Sequence, residues 1–161
     1  MRKTIQAIAT LLVLFSTHAA AQTNIDLGGI AIDTAAAIEV TADSLAVDQD
    51  TGSAIFTGNV IIAQGDLRLS AGKVEVIYTA ETNQIAQLIA ENDVTFVTAD
   101  EAAEAQNALY DITTGQLTLT GDVLLTQGAS AVSSEKMIIN VTDGTATMEG
   151  RERTVLHQGD N

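Results

Sequence analysis

An internal repeat is the feature that most constrains the fold of this chain. Residues 47–78 and 110–141 align at a fixed offset of 63 without a gap, and 10 of their 32 positions are identical. Ordinary residue usage would give about two identities. The identical pairs are Asp48/Asp111, Thr51/Thr114, Gly52/Gly115, Thr57/Thr120, Gly58/Gly121, Val60/Val123, Gln64/Gln127, Gly65/Gly128, Ser70/Ser133 and Lys73/Lys136. Two copies of one supersecondary unit are therefore predicted to stack on a shared core.

Each copy has turn residues at the spacing that is typical of β-strands. An Asp-x-x-Thr-Gly segment provides turn chemistry, because Asp can accept from the backbone ahead of it and Gly can take a positive φ. A strand of four or five residues follows, then a second turn or a bulge at Thr-Gly-Asn/Asp-Val, then another strand that ends at Gln-Gly. Short strands at such spacing predict an all-β sandwich, barrel or roll.

The same alternation continues outside the repeat. Apolar residues alternate with polar ones in "IEVTADSLAVD", "KVEVIY", "NDVTFVT", "EKMIINV" and "TATMEG". The segment 99–109, "ADEAAEAQNAL", has a helix-like composition. Its spacing before the second copy nevertheless matches the spacing of "VTADSLAVD" before the first, so a strand is predicted there.

The first 21 residues have the pattern of a secretory signal peptide. Arg2 and Lys3 precede an apolar run over 5–15, and an A-x-A pattern ends at Ala21. The alternative, a membrane anchor, is disfavoured because the run is short and no second apolar span follows. The predicted organisation is a signal peptide over 1–21, a flexible leader over 22–36, one domain over 37–157 and a tail over 158–161.

Composition excludes several functional classes. Removing residues 1–21 deletes two basic residues and leaves 5 basic against 21 acidic ones, a net charge of −16. Nucleic acid is therefore not an expected partner, since phosphate binding needs clustered Lys and Arg. The chain has no Cys and is rich in aliphatic residues. An exported chain of this size can bury a core without disulfides, and export without an anchor predicts a periplasmic location.

Candidate catalytic and metal sites are few, so the protein is predicted not to be an enzyme and to need no cofactor. His157 is the one histidine after the signal peptide, and a solvated terminal side chain is the favoured interpretation. Asp48-x-Asp50-x-Gly52 resembles a calcium loop, but Asp50 becomes Thr113 in the second copy, which favours a turn. Asp100, Glu101 and Glu104 could form a metal cluster, but a solvated acidic edge is the favoured interpretation.

Five basic residues remain after the signal peptide, and two of them, Lys73 and Lys136, hold equivalent positions in the repeat. They could meet a ligand phosphate. The favoured interpretation is that they guard exposed strand edges against unwanted pairing.

The arrangement of these motifs resembles a known family. An acidic residue, Asp43, follows an opening strand with Ile38 and Val40. Then come "FTGNV" at 56–60, Gln-Gly at 64–65 and "AGKV" at 71–74, and the later "ALYDITTGQLTLTGDVLL" and "RTVL" extend the match over about 38–156. These segments resemble the periplasmic lipopolysaccharide-transport bridge family, the LptA/OstA-like domain.

The resemblance implies an open-ended, V-shaped antiparallel β-jelly roll, built here from the two sequence repeats. It implies that the acyl chains of lipopolysaccharide lie in an apolar interior, and that copies stack head to tail into a bridge between the membranes. The implied partners are an inner-membrane anchored protein of the same fold and an outer-membrane lipopolysaccharide translocon. A related component of the same machine remains an alternative, which the cleavable signal disfavours.

The resemblance assigns lipid contacts to Ile38, Val40, Phe96 and Ile112. Alternation along the strands adds six groove-lining candidates, for each of which ordinary core is an equal alternative: Phe56, Val60, Ile62, Leu119, Val123 and Leu125. The candidate edges for contact between copies are Ile38, Glu39 and Val40 at one end and Thr154, Val155 and Leu156 at the other.

The negative charge does not suit an anionic lipid head group. Exposed charges are screened over about 8 Å at physiological salt, so burial of acyl chains should outweigh the repulsion. Either the head-group phosphates stay in solvent or the glycolipid carries less charge. A structural or adhesive β-repeat protein without lipid cargo is the alternative function.

Overall fold

The computed structural model describes residues 23–26 and 35–155. The cleavage site, the tail and most of the leader lie outside these residues, and so does Leu156. The described residues form eleven β-strands: β1 Thr23–Asp26, β2 Glu39–Thr41, β3 Ser44–Asp48, β4 Ser53–Gln64, β5 Leu67–Tyr78, β6 Ile85–Val97, β7 Glu101–Asp111, β8 Gln116–Gln127, β9 Ser130–Asn140, β10 Thr145–Glu149 and β11 Arg153–Val155.

All strand pairings are antiparallel and belong to one sheet. Its order is β1-β10-β9-β8-β7-β6-β5-β4-β2, with β3 also on β4 and β11 also on β9. From β4 to β10, strands that follow one another in sequence are neighbours in the sheet, as in a meander. Within the described residues the two outer sides do not pair with each other, so the sheet is unclosed. The prediction of an all-β, open antiparallel architecture is confirmed.

Bulges divide the long strands in the middle. The β4–β5 register shifts between Thr57 and Val60, and the β8–β9 register shifts at the equivalent place between Thr120 and Val123. Gly58 has a φ of +82°, which L side chains rarely adopt. The Thr-Gly-Asn/Asp-Val motif is therefore a bulge inside one twelve-residue strand, not a turn between two short strands. The prediction of strands of four or five residues was wrong on this point.

The sheet repeats the sequence duplication strand by strand. Strand β7 corresponds to β2 and β3 together at the offset of 63: Ala108 faces Leu119, and Leu45 faces Phe56. Strand β6 corresponds to β10 and β11 together at an offset of 58, since Leu88 faces Val76 and Ala146 faces Ile139. The helix-like segment before the second copy is thus strand β7, as its spacing predicted.

The core consists of inward-facing aliphatic residues from both copies, and Val60, Phe96, Leu119 and Met137 are 0–1% exposed. Burial alternates along β5 and β7 with the period of two that a strand with one buried face requires. Small residues at several inward positions, including Ala90 and Ala103, keep the layer thin.

The described structure differs from the expected leader at one point. Residues 22–36 were expected to be flexible, yet Thr23–Asp26 forms β1 and pairs with β10. This strand could not be predicted from the sequence because it lies outside the 63-residue repeat and is only four residues long.

Candidate functional site

The ten predicted lipid-contact residues separate into two groups. One group is fully buried in the core, at 0–2% exposure: Val60, Ile62, Phe96, Leu119, Val123 and Leu125. The other group is half-buried and packs against that core: Ile38, Val40, Phe56 and Ile112. All ten therefore belong to one continuous apolar interior, and their contact with lipid remains a prediction.

The interior has little free space beside Ile38. A cavity between Ile38, Leu69, Leu88 and Tyr110 offers about 10 Å³ of free space, which is about one water molecule. The Tyr110 hydroxyl is buried and has no hydrogen-bond partner among the described residues, and burial raises the pKa of this phenol. A buried hydroxyl in this state is destabilising, and an entering ligand with an acceptor oxygen would relieve it.

One end of the interior is open. Leu45 and Val47 on β3 are 56% and 66% exposed, and with Ala54, Phe56 and Tyr78 they line a cleft of about 470 Å³. Polar groups at its rim include the Asp48 carboxylate. The cleft has no lysine or arginine in its described lining, so its chemistry suits an apolar guest.

The exposure of Leu45 and Val47 has a topological cause. Their equivalents in the second copy, Ala108 and Tyr110, are 4% and 5% exposed. Strand β6 pairs along β7 and covers those positions, whereas no described strand pairs with the outer side of β3. Sequence reasoning missed Leu45 and Val47. The available signal was the 63-residue offset, which makes Leu45 and Val47 the counterparts of Ala108 and Tyr110.

The predicted contact edges lie at opposite sides of the sheet. Glu39 and Val40 belong to β2, which pairs with β4. Thr154 and Val155 belong to β11, are exposed, and pair with β9 on one side. Ile38 directly precedes β2. The structure therefore brings the described members of each predicted set to an outer strand or directly beside it, while the role of either set in contact between copies stays a prediction.

The two equivalent lysines lie inside the sheet rather than at its edges. Lys73 Nζ is 2.9 Å from Glu91 Oε2, and Lys136 Nζ is 2.9 Å from Glu149 Oε2. The hydrogen bond from Lys73 to Glu91 raises the pKa of the lysine. The edge-guard interpretation was wrong, because both lysines form cross-strand ion pairs beside a bulge.

The acidic motifs serve the backbone and neighbouring side chains. Asp48 Oδ1 accepts from the Asp50 and Thr51 amides at 2.8 and 3.2 Å, which lowers the pKa of its carboxyl group. Glu101 is 3% exposed and accepts from Thr98 Oγ1 at 2.6 Å and from Gln127 Nε2 at 3.0 Å. The solvated-edge interpretation was therefore wrong for Glu101.

The described residues contain neither a metal-binding cluster nor a membrane-spanning helix. No group of three or more His, Asp or Glu side chains is placed to hold a metal ion within residues 23–26 and 35–155. In that same part of the chain, no helix has the length and apolar character to cross a membrane.

An unclosed antiparallel sheet around a continuous aliphatic interior is the architecture of an open β-jelly roll. Residues 39–145 match the family model for the LptA/(LptD N-terminal domain) LPS transport protein. The chain belongs to this family, and its general function is lipopolysaccharide transport.

One solved structure and one further protein are similar to this chain. The crystal structure of LptH from Pseudomonas aeruginosa, described as the LptA-homologous periplasmic component of the lipopolysaccharide transport device, superposes with a TM-score of 0.70. At 17% identity it covers 78% of this chain and 99% of its own, and it confirms the jelly-roll fold. An uncharacterized protein of Rhizobium meliloti (strain 1021) is 28% identical over 149 residues, 92% of this chain and 68% of its own.

Proposed function

We propose that this protein shields the acyl chains of lipopolysaccharide in its apolar interior and joins other copies head to tail to carry the lipid across the periplasm. The observation that carries the proposal is the outer side of β3, with which no described strand pairs. Leu45 and Val47 are exposed beside an open apolar cleft, where the equivalent residues of the second copy are covered by the next strand.

The energetics favour acyl chains as cargo. Each methylene kept from water contributes about 0.8 kcal/mol, so twelve of them contribute roughly 10 kcal/mol. The cleft between Leu45, Val47 and Phe56 leads towards the half-buried Tyr78, and these side chains supply apolar surface without ion pairs. We infer that acyl chains enter at this cleft and move apart the half-buried side chains of the interior.

The charge of the protein restricts where the head group can lie. The cleft presents the Asp48 carboxylate and no described cation, while Lys73 and Lys136 are already paired with glutamates. A phosphorylated head group therefore gains no ion pair at the rim of the cleft and stays in solvent. A glycolipid of lower charge would bind at least equally well.

The two outer sides of the sheet supply the head-to-tail contact. Because β6 and β7 pair within the chain, their counterparts β10/β11 and β2/β3 can pair between copies in the same register. Such a contact uses different surfaces on the two partners and generates an open filament rather than a closed ring. It would also satisfy backbone groups that an unpaired strand leaves open.

The proposal includes a location and partners. The predicted signal peptide and the family assignment both support the periplasm. The same edge pairing can accept an inner-membrane anchored protein of this fold at one end and the outer-membrane translocon at the other.

The small free space beside Ile38 and the full burial of core residues such as Val60 and Phe96 favour the alternative of a structural β-repeat protein without cargo. Mass spectrometry of lipid that co-purifies with the periplasmic protein separates the two functions. We expect lipid A species in the wild type and a strong reduction when Leu45 and Val47 are both changed to Asp. A folded wild-type protein that carries no lipid would support the structural alternative.

A further inference from the structure

The outer side of β10 is occupied by the chain's own strand β1. The antiparallel register pairs Thr23 with Met148, Asn24 with Thr147, Ile25 with Ala146 and Asp26 with Thr145. Strand β1 is separated from β10 by more than a hundred residues of sequence and lies outside both copies of the repeat. It therefore closes half of the side on which the proposed head-to-tail contact depends.

The position of β1 reproduces the position of β7 in the middle of the sheet. Leu88 of β6 pairs with Tyr110 of β7, and the counterpart of Leu88, which is Ala146, pairs with Ile25. In the same way Gln87 pairs with Asp111, and its counterpart Thr145 pairs with Asp26. Strand β1 thus stands where the last four residues of a third copy of β7 would lie.

The sequence counterpart of β7 at the open side of the chain is β3. At the offset of 63, Asp111 corresponds to Asp48 and Tyr110 corresponds to Val47. If the β3 strand of a second copy adopted the β6–β7 register, Val47 would face Ala146 and Ala46 would face Thr147. These are the positions that β1 holds.

We propose that β1 is an internal substitute for the β3 strand of the next copy, and that it must leave β10 before two copies can join completely. This inference rests on the proposed head-to-tail assembly and adds the competing strand to it. The occupant of the docking side in the assembled state is β3 of a second copy, with β2 of that copy placed on β11.

The pairing lengths favour displacement. Strand β1 pairs with β10 through four residues, whereas β7 pairs with β6 through nine. No other described strand covers the outer side of β11. The β2 strand of an incoming copy can pair there first and then extend onto β10 as β1 withdraws. While β1 covers β10, an isolated chain is protected from pairing with unrelated strands. A second copy can still displace β1 and pair with β10.

The absence of native cysteine allows a direct test in the full-length protein. Cysteine at Thr147 has two alternative partners: Asn24 of the same chain and, in the proposed contact, Ala46 of another copy. Facing residues of antiparallel strands are about 4.5–5.5 Å apart at Cα, within disulfide range. Ala46 and Thr147 of one chain lie at opposite sides of the sheet, so a bond between them must join two copies.

We expect the Ala46→Cys/Thr147→Cys variant to give a ladder of linked chains on a non-reducing gel. Adding Asn24→Pro and Ile25→Pro should increase the linked fraction several-fold. Adjacent prolines remove amides on both sides of the strand, so one of them faces β10. The matched control, Asn24→Thr and Ile25→Val, keeps β-forming residues and should leave the ladder unchanged.

A second variant tests the competition in the opposite direction. Oxidised Asn24→Cys/Thr147→Cys should fix β1 on β10 and reduce self-association in light scattering, and reduction should restore it. Two results together would overturn the inference about β1: equal amounts of linked chains with proline and control residues, and unchanged self-association when β1 is fixed on β10. The head-to-tail assembly would still be supported in that case, because the linked chains form. If no variant links at all, both the assembly in this register and the inference are overturned.

Discussion

Asn59 Nδ2 donates to Asp43 Oδ2 at 2.8 Å, and this bond joins the bulge of β4 to the segment between β2 and β3. The second copy has the same bond with donor and acceptor exchanged: Gln106 Nε2 donates to Asp122 Oδ2 at 2.8 Å. Each copy thus keeps one amide and one carboxylate at this place. The bond joins the bulge to the neighbouring strand region in both copies.

The exchange predicts a compensating pair of mutations. Asn59→Asp places two carboxylates opposite each other and should lower the free energy of unfolding by about 1 kcal/mol. Adding Asp43→Gln recreates the arrangement of the second copy and should recover most of that loss. Urea unfolding of the two single mutants and the double mutant measures the coupling. Additive losses in the double mutant would contradict the assignment.

The bulge glycines should differ from the turn glycines in their tolerance of a side chain. A Cβ at Gly58 would lie 2.5 Å from Asp43 Oδ2, whereas nothing lies within 4 Å of a Cβ at Gly52, although both have positive φ. Gly52→Ala should cost about 1 kcal/mol from backbone strain alone. Gly58→Ala should cost at least about 1 kcal/mol more, because the side chain of Asp43 must move. Equal melting temperatures for the two variants would show that the close approach is unimportant.

The exposed apolar residues of β3 should affect assembly but not stability. Val47→Asp changes a side chain that is 66% exposed, so the free energy of unfolding should stay within about 0.5 kcal/mol of the wild type. Self-association measured by analytical ultracentrifugation should be lost. Leu109→Asp is the matched control, because Leu109 is 39% exposed on β7 in the middle of the sheet. Loss of association in both variants would argue against a specific role of β3.

The buried Tyr110 hydroxyl predicts a stabilising mutation. Tyr110→Phe removes a polar group that has no described partner and should raise the free energy of unfolding by about 1 kcal/mol in the lipid-free protein. Chemical denaturation of delipidated protein measures this difference. A less stable Phe variant would mean that the hydroxyl is bonded in the folded state.

The turn carboxylates predict a loss of stability in acid. The Thr114 amide and then the Gln87 side chain lower the pKa of Asp111 below its ordinary 3.8. The folded state therefore favours the carboxylate, and this contribution is complete above about pH 4–5 and lost as the pH falls through the lowered pKa. Asp111→Asn should destabilise slightly at pH 7, and its difference from the wild type should shrink at pH 3. A difference independent of pH would contradict this account.

Much of the fold could be predicted because the repeat and the alternation are local signals. The spacing before the second copy identified β7 despite its alanine-rich composition. The bulge at Gly58 could not be distinguished from a turn, because positive φ serves both. Strand β1 and the exposure of Leu45 and Val47 depend on which strands become neighbours, and only the assembled sheet gives that information.

The most direct measurement of the central claim is photo-crosslinking in living cells with a reactive residue in place of Phe56. This side chain is half-buried and lines the open cleft, whereas Phe96 is fully buried and its replacement would disturb the core. Ile61 of the same strand, 47% exposed and absent from the cleft lining, is the control position. The account predicts a lipopolysaccharide adduct at position 56 and none at position 61. Equal adducts at both positions, or none from a folded and exported protein, would contradict it.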